Sequence, residues 1–82
     1  MYRILTENRN VDQIKETLRA LGLDYTIFFG VGAWREQEEF SLAIELDNIP
    51  RSVAARAAIR IKKLNHQEAV LLQEIPVISQ FI

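Results

Sequence analysis

Three sets of side chains in this 82-residue chain have types and spacings that could do chemistry. The first is FFGVGAW, residues 28–34, in which Phe28, Gly30, Gly32 and Trp34 recur at every second position. On a β-strand that period puts all four on one side. Two glycines between two aromatic residues then form a shallow floor with aromatic walls, suited to a second protein surface or to a planar ring stacked on an aromatic. The second set is Arg56, Arg60 and Lys63, at i, i+4 and i+7, with Arg51 and Lys62 extending the basic character toward the ends. On a helix the first three share a face. No acid within that segment neutralises them, so beyond the simpler reading of a solvated helix face they can receive phosphate or carboxylate groups, and arginine does so in bidentate fashion. The third is Ser41 with Glu45. Four residues apart on a strand they stand ~13 Å from each other, beyond hydrogen-bond reach.

Catalysis asks for a nucleophile beside a base or for carboxylates paired in a cleft, and no spacing here singles such a set out. The expectation is therefore no enzyme and no cofactor. His66 is the only histidine and there is no cysteine, which disfavours a zinc site. The acids Glu36, Glu38 and Glu39 lack the ligand spacing of a calcium loop and read as a solvated hairpin tip. Ten basic against eleven acidic side chains give a net charge of −1, so no overall field draws the molecule to duplex nucleic acid or to an anionic membrane. Single-stranded RNA on the aromatic strand is disfavoured too, because the basic and aromatic motif of such sheets is absent and acids follow the strand. No apolar run approaches the ~20 residues of a membrane span. The absence of cysteine is compatible with a reducing compartment, and the expected location is the cytoplasm.

The elements that must position these residues follow from periodicity. Tyr2 to Glu7 reads as a short strand. Asn10 with Gln13 forms a candidate capping box, and Val11, Ile14, Leu18 and Leu21 recur at helical spacing up to Gly22 at the C′ position. From Asp24 the period becomes two. Tyr25, Ile27, Phe29, Val31 and Ala33 fall on one side, and after the polar link 35–38 so do Phe40, Leu42, Ile44 and Leu46. These two sets are expected to cover a core, leaving Phe28, Gly30, Gly32 and Trp34 beside Ser41, Ala43 and Glu45 on the other side. Asp47, Asn48 or Ser52 can cap a second helix, with Pro50 tolerated in its first turn. Its inner stripe runs through Val53, Ala54, Ala57, Ile61 and Leu64, and Asn65 is expected to end it in the left-handed region. Glu68 to Ile75 reads as a last strand, followed by the apolar tail PVISQFI.

The order β-α-β-β-α-β is that of a ferredoxin-like α+β domain over residues 1–82: one four-stranded antiparallel sheet with both helices on one face. The other face has no helix to cover it. A chain this short has a narrow stability margin, so a second copy laid on the bare face is the leading expectation, and the apolar tail strengthens it by returning to the sheet edge or packing on another subunit.

The series Thr6-Glu7-Asn8, Thr26, Gly30, Gly32-Ala33-Trp34, Glu39, Ser41 and Ile44-Glu45 resembles small proteins of phages and their bacterial hosts, in which a TEN segment precedes a helix and a glycine-aromatic strand precedes an E-x-S…IE strand. The resemblance covers the first ~50 residues. Some compact phage proteins sequester nucleotide-type immune signals at subunit boundaries; similarity to them implies Phe28 or Trp34 stacking on a base and Arg56 or Arg60 meeting phosphates. The resulting expectation is a non-catalytic homo-oligomer that binds a small anionic, nucleotide-type ligand between subunits. The alternative is a protein-protein module, an inhibitor or assembly factor, whose partner covers the open sheet face.

Overall fold

A computed structural model describes the backbone of residues 1–82 and every side chain except that of Trp34. The chain runs β1 (Tyr2–Glu7), α1 (Val11–Ala20), β2 (Thr26–Trp34), β3 (Gln37–Leu46), α2 (Arg51–Leu64) and β4 (Leu71–Glu74). The four strands form one antiparallel sheet in the order β2-β3-β1-β4, and the fold is ferredoxin-like. Alternation fixes which side is covered. Ile4, Leu42, Ile44 and Leu46 of the sheet are buried in one cluster with Ile14 and Leu18 of α1 and Ala57, Ala58 and Ile61 of α2. The alanines let α2 approach the sheet closely, as their small size requires.

Both helices end in the same device. In α1 the backbone N–H of Gly22, at φ +71°, donates to Arg19 O and that of Leu23 to Leu18 O. In α2 His66 occupies the left-handed position, at φ 52°, its N–H donating to Lys63 O while Gln67 N–H donates to Lys62 O. These paired bonds satisfy carbonyls that a helix end leaves open. Asn65 was expected in that left-handed role but has φ −89°. Its fully buried side chain is committed elsewhere: Nδ2 donates to Thr6 Oγ1 (3.3 Å) and to Gln67 Oε1 (3.3 Å), and Oδ1 accepts from Asn10 Nδ2 (3.1 Å). The Thr6 hydroxyl donates to Gln67 Oε1, and Arg9 donates to Asn65 O (2.9 Å).

That network also corrects the expected capping box. Asn10 sits at φ 55° and its amide makes no cap bond to α1, because it reaches across to the end of α2. At the start of α2, Pro50 itself is the cap residue, and neither Asp47, Asn48 nor Ser52 makes a side-chain cap bond there. β4 is half the expected length, pairing with β1 only from Leu5↔Leu71 to Tyr2↔Glu74. Two further bonds extend the ladder: Ile75 N–H donates to Met1 O (2.8 Å) and the Met1 ammonium donates to Ile75 O (3.1 Å). The residues after Pro76 do not return as an edge strand: Ile78, Phe81 and Ile82 are fully exposed.

Phe29, Val31 and Phe40 depart furthest from expectation. They lie on the helix side of the sheet, where they were expected to cover the core, yet are 64%, 62% and 71% exposed. The cause is length. The ten residues of α1 span ~15 Å, whereas the nine of β2 span ~30 Å, so the outer half of the β2–β3 hairpin projects past its cover.

Candidate interaction surface

Read from the strand register, three rows cross more than one strand pair on the bare side of the sheet, and beyond them on the same side Gly32 lies opposite Glu39. At its base, Thr26 lies opposite Glu45, Glu45 opposite Arg3 and Arg3 opposite Gln73. Next comes an apolar row, Phe28–Ala43–Leu5–Leu71, whose two ends are about half exposed (51% and 52%). Above it Gly30, Ser41 and Glu7 are aligned. Phe28, Gly30 and Ser41 therefore stand on the open face as expected, and Leu5 and Leu71 join them, unforeseen from sequence. The side chain of Trp34 lies outside the described residues; its backbone is paired with Gln37.

Glycine inside a strand usually marks a bulge or a close approach of another group to the backbone. The ladder from Thr26↔Glu45 to Trp34↔Gln37 has no bulge, and both glycines lack positive φ. A Cβ on Gly30 would meet Ser41 Oγ at an ordinary 3.8 Å, and one on Gly32 would meet nothing within 4 Å. The chain's own packing gives no reason for either glycine. Open space lies above them, at a cost of roughly 0.5–1 kcal/mol each relative to alanine.

Glu45 does not act as a spare carboxylate. Arg3 donates to its Oε2 from both Nε (3.1 Å) and Nη2 (2.6 Å), so its charge is matched and its position fixed. Beyond the apolar row a cleft of about 580 Å³ opens between the hairpin and the loop leading into β4, with Thr6, Glu7, Gly32, Glu39, Ser41 and Gln67 among its lining. Among the described residues its lining holds two carboxylates, one of them paired with Arg9 outside the cleft, and no cation, the opposite of what a phosphate needs. Among the described residues no group of three or more His, Asp or Glu side chains is placed to hold a metal, and no helix is long and apolar enough to cross a membrane.

Arg56 and Arg60 are exposed on α2, facing away from the core that Ala57, Ala58 and Ile61 share with the sheet. The sequence-derived site residues thus fall into two groups on opposite sides of the molecule, and one chain does not bring them together. Ile59, about half exposed among these cations, went unnoticed in the sequence. It follows Arg56 by three residues and precedes Lys63 by four, the neighbour spacings of a helix surface, and that signal was available. Charge is segregated in the same way. α2 carries +5 from Arg51, Arg56, Arg60, Lys62 and Lys63 and no acid, which within a chain of net −1 leaves −6 for everything else. The ion pairs Arg3–Glu45 and Arg9–Glu7 lie outside α2.

Compared with known protein families and with curated proteins, the chain matches none.

Proposed function

We propose that this chain is a non-catalytic binding module that works as a homo-oligomer, with the β2–β3 hairpin and the bare sheet face as its working surface. The observation that carries this reading is the ribbon of Phe28, Phe29, Val31 and Phe40, four large apolar side chains half to three-quarters exposed on the two sides of one hairpin. Apolar surface removed from water yields ~25 cal/mol per Å², and an exposed apolar cluster such as Phe29, Val31 and Phe40 on the helix side of the hairpin marks an interaction site. The free outer edge of β2 adds unpaired backbone groups along the same ribbon. A second copy is the occupant that size alone already favours.

A small anionic, nucleotide-type ligand is the second reading, supported by the five cations of α2, for which no ion pair is seen among the described residues. It needs two copies, because α2 and the aromatic face of one chain lie on opposite sides. Light scattering across a dilution series tests the first reading: the wild type exceeds its 9.5 kDa chain mass and Val31→Ser with Phe40→Ser returns it to that mass. A wild type of single-chain mass at every concentration would overturn it. A thermal-shift panel of cyclic oligonucleotides and ADP-ribose derivatives tests the second, where a ligand at a hundred times its Kd stabilises by ~2.7 kcal/mol; no shift with any member removes that reading.

A further inference from the structure

We infer that the copies associate head to tail, the hairpin of one chain lying across the outer face of α2 of the next. This rests on the self-association proposed above and specifies its geometry. The hairpin presents an apolar-then-acidic strip on the helix side of the sheet. Val31 and Phe40 are register partners, Ala33 and Glu38 form the next pair on that side, and Glu36 follows in the turn. The outer face of α2 presents an apolar-then-basic strip, with Ile59 flanked by Arg56 and Lys63.

The spacings agree. Phe40 and Glu38 are two strand residues apart, ~7 Å, and Ile59 and Lys63 are four helix residues apart, ~6 Å. An apolar contact at one point therefore brings a carboxylate and an ammonium together one step further along. Glu39, beside them on the hairpin, adds to the negative field that meets Arg56 and Arg60.

A chain cannot make this contact with itself. The outer face of α2 points away from the sheet, and the hairpin continues in the plane of the sheet, so Phe40 and Ile59 of one molecule both remain exposed. Two different patches then serve one contact, the hairpin of one copy on the helix of the next, and successive contacts close into a ring, the smallest being a reciprocal pair, or extend as a filament. In this arrangement the cations of α2 are satisfied by protein carboxylates and not by a phosphate.

Charge exchange tests it. Glu36→Lys/Glu38→Lys/Glu39→Lys gives a chain basic at both ends, and Arg56→Glu/Arg60→Glu/Lys63→Glu gives one acidic at both; every substituted side chain is exposed, and far-UV circular dichroism confirms that both fold. In sedimentation at physiological salt each variant alone loses roughly tenfold or more in association constant, and an equimolar mixture recovers association into complexes that contain both variants, because each hairpin then meets a helix of opposite charge. Single variants that keep the wild-type mass, or a mixture that stays dissociated, would overturn the head-to-tail contact while leaving self-association by another surface standing. A monomeric wild type would instead overturn the self-association itself.

Discussion

Ile44 and Phe40 stand on the same strand and point to the same side, four residues apart, yet Ile44 is sealed from solvent and Phe40 is 71% exposed. The lower half of the sheet obeys the usual economy of a small domain, with alternate apolar residues buried under two helices and polar groups at the helix ends paired. Its upper half, the outer hairpin, keeps the alternation without the cover. Alternation thus decides which side a residue faces, whereas burial depends on how far the opposing layer extends. Two regions of one ribbon can therefore share a pattern and differ in purpose: one holds the monomer together, and the other is left over for contact.

The comparison is broken most directly by truncating both residues. Ile44→Ala removes buried methyl groups from a packed core and should cost about 2–5 kcal/mol, a large part of the stability of a domain this size. Phe40→Ala should cost no more than about 0.5 kcal/mol in the dilute chain, although it weakens self-association. Urea denaturation at low protein concentration measures both. Equal losses would mean that the outer hairpin belongs to the core after all.

A smaller effect sharpens the same contrast through polar groups. Asn65→Ala leaves Asn10 Nδ2 without its side-chain acceptor and deprives Thr6 and Gln67 of a donor in a buried setting, for a cost of about 1–3 kcal/mol. Ser41→Ala, on the bare face with no side-chain hydrogen bond to lose, should stay within about 0.5 kcal/mol. Thermal melting of the two variants separates them, and comparable shifts would show that the bare face carries structural bonds of its own.

The fold was legible because element type and order depend on local signals: the period of two from Tyr25 onward, the helical stripe of Val11, Ile14 and Leu18, and Gly22 where a left-handed residue was needed. The side on which Phe28, Gly30 and Ser41 stand followed from the same alternation. The exposure of Phe29, Val31 and Phe40 did not, since it depends on the length of α1 relative to β2. Both lengths are in the sequence, but their difference matters only once the two elements are laid on each other. The roles of Asn10 and Asn65 are hidden from the sequence for a related reason. Each has a plausible local role at its own helix end, and a bond between residues 55 positions apart leaves no periodic trace. That Arg56 and Arg60 face away from the aromatic side was implicit in the β-α-β-β-α-β order, which places both helices opposite the bare face.

The smallest expected effect probes whether the two halves unfold together. The hairpin turns through Arg35 and Glu36, at φ 50° and 63°, a two-residue turn that prefers glycine at its second position. A non-glycine residue held there costs about 1–2 kcal/mol, and glycine returns roughly 0.5–1 kcal/mol of that to the unfolded chain, so Glu36→Gly should gain about 0.5–1 kcal/mol. Where that gain appears depends on cooperativity. An uncovered ribbon has few buried contacts tying it to the core, and such segments open locally without global unfolding. Urea then opens the ribbon before the core, so the gain should slow amide hydrogen exchange of residues 31–40 by roughly two- to fivefold in water and leave the midpoint of the main urea transition, reached with the ribbon already open, unchanged. A raised midpoint with uniform slowing would instead show that the hairpin and the helix-covered half form one cooperative unit, and the distinction between them would then hold for solvent exposure but not for stability.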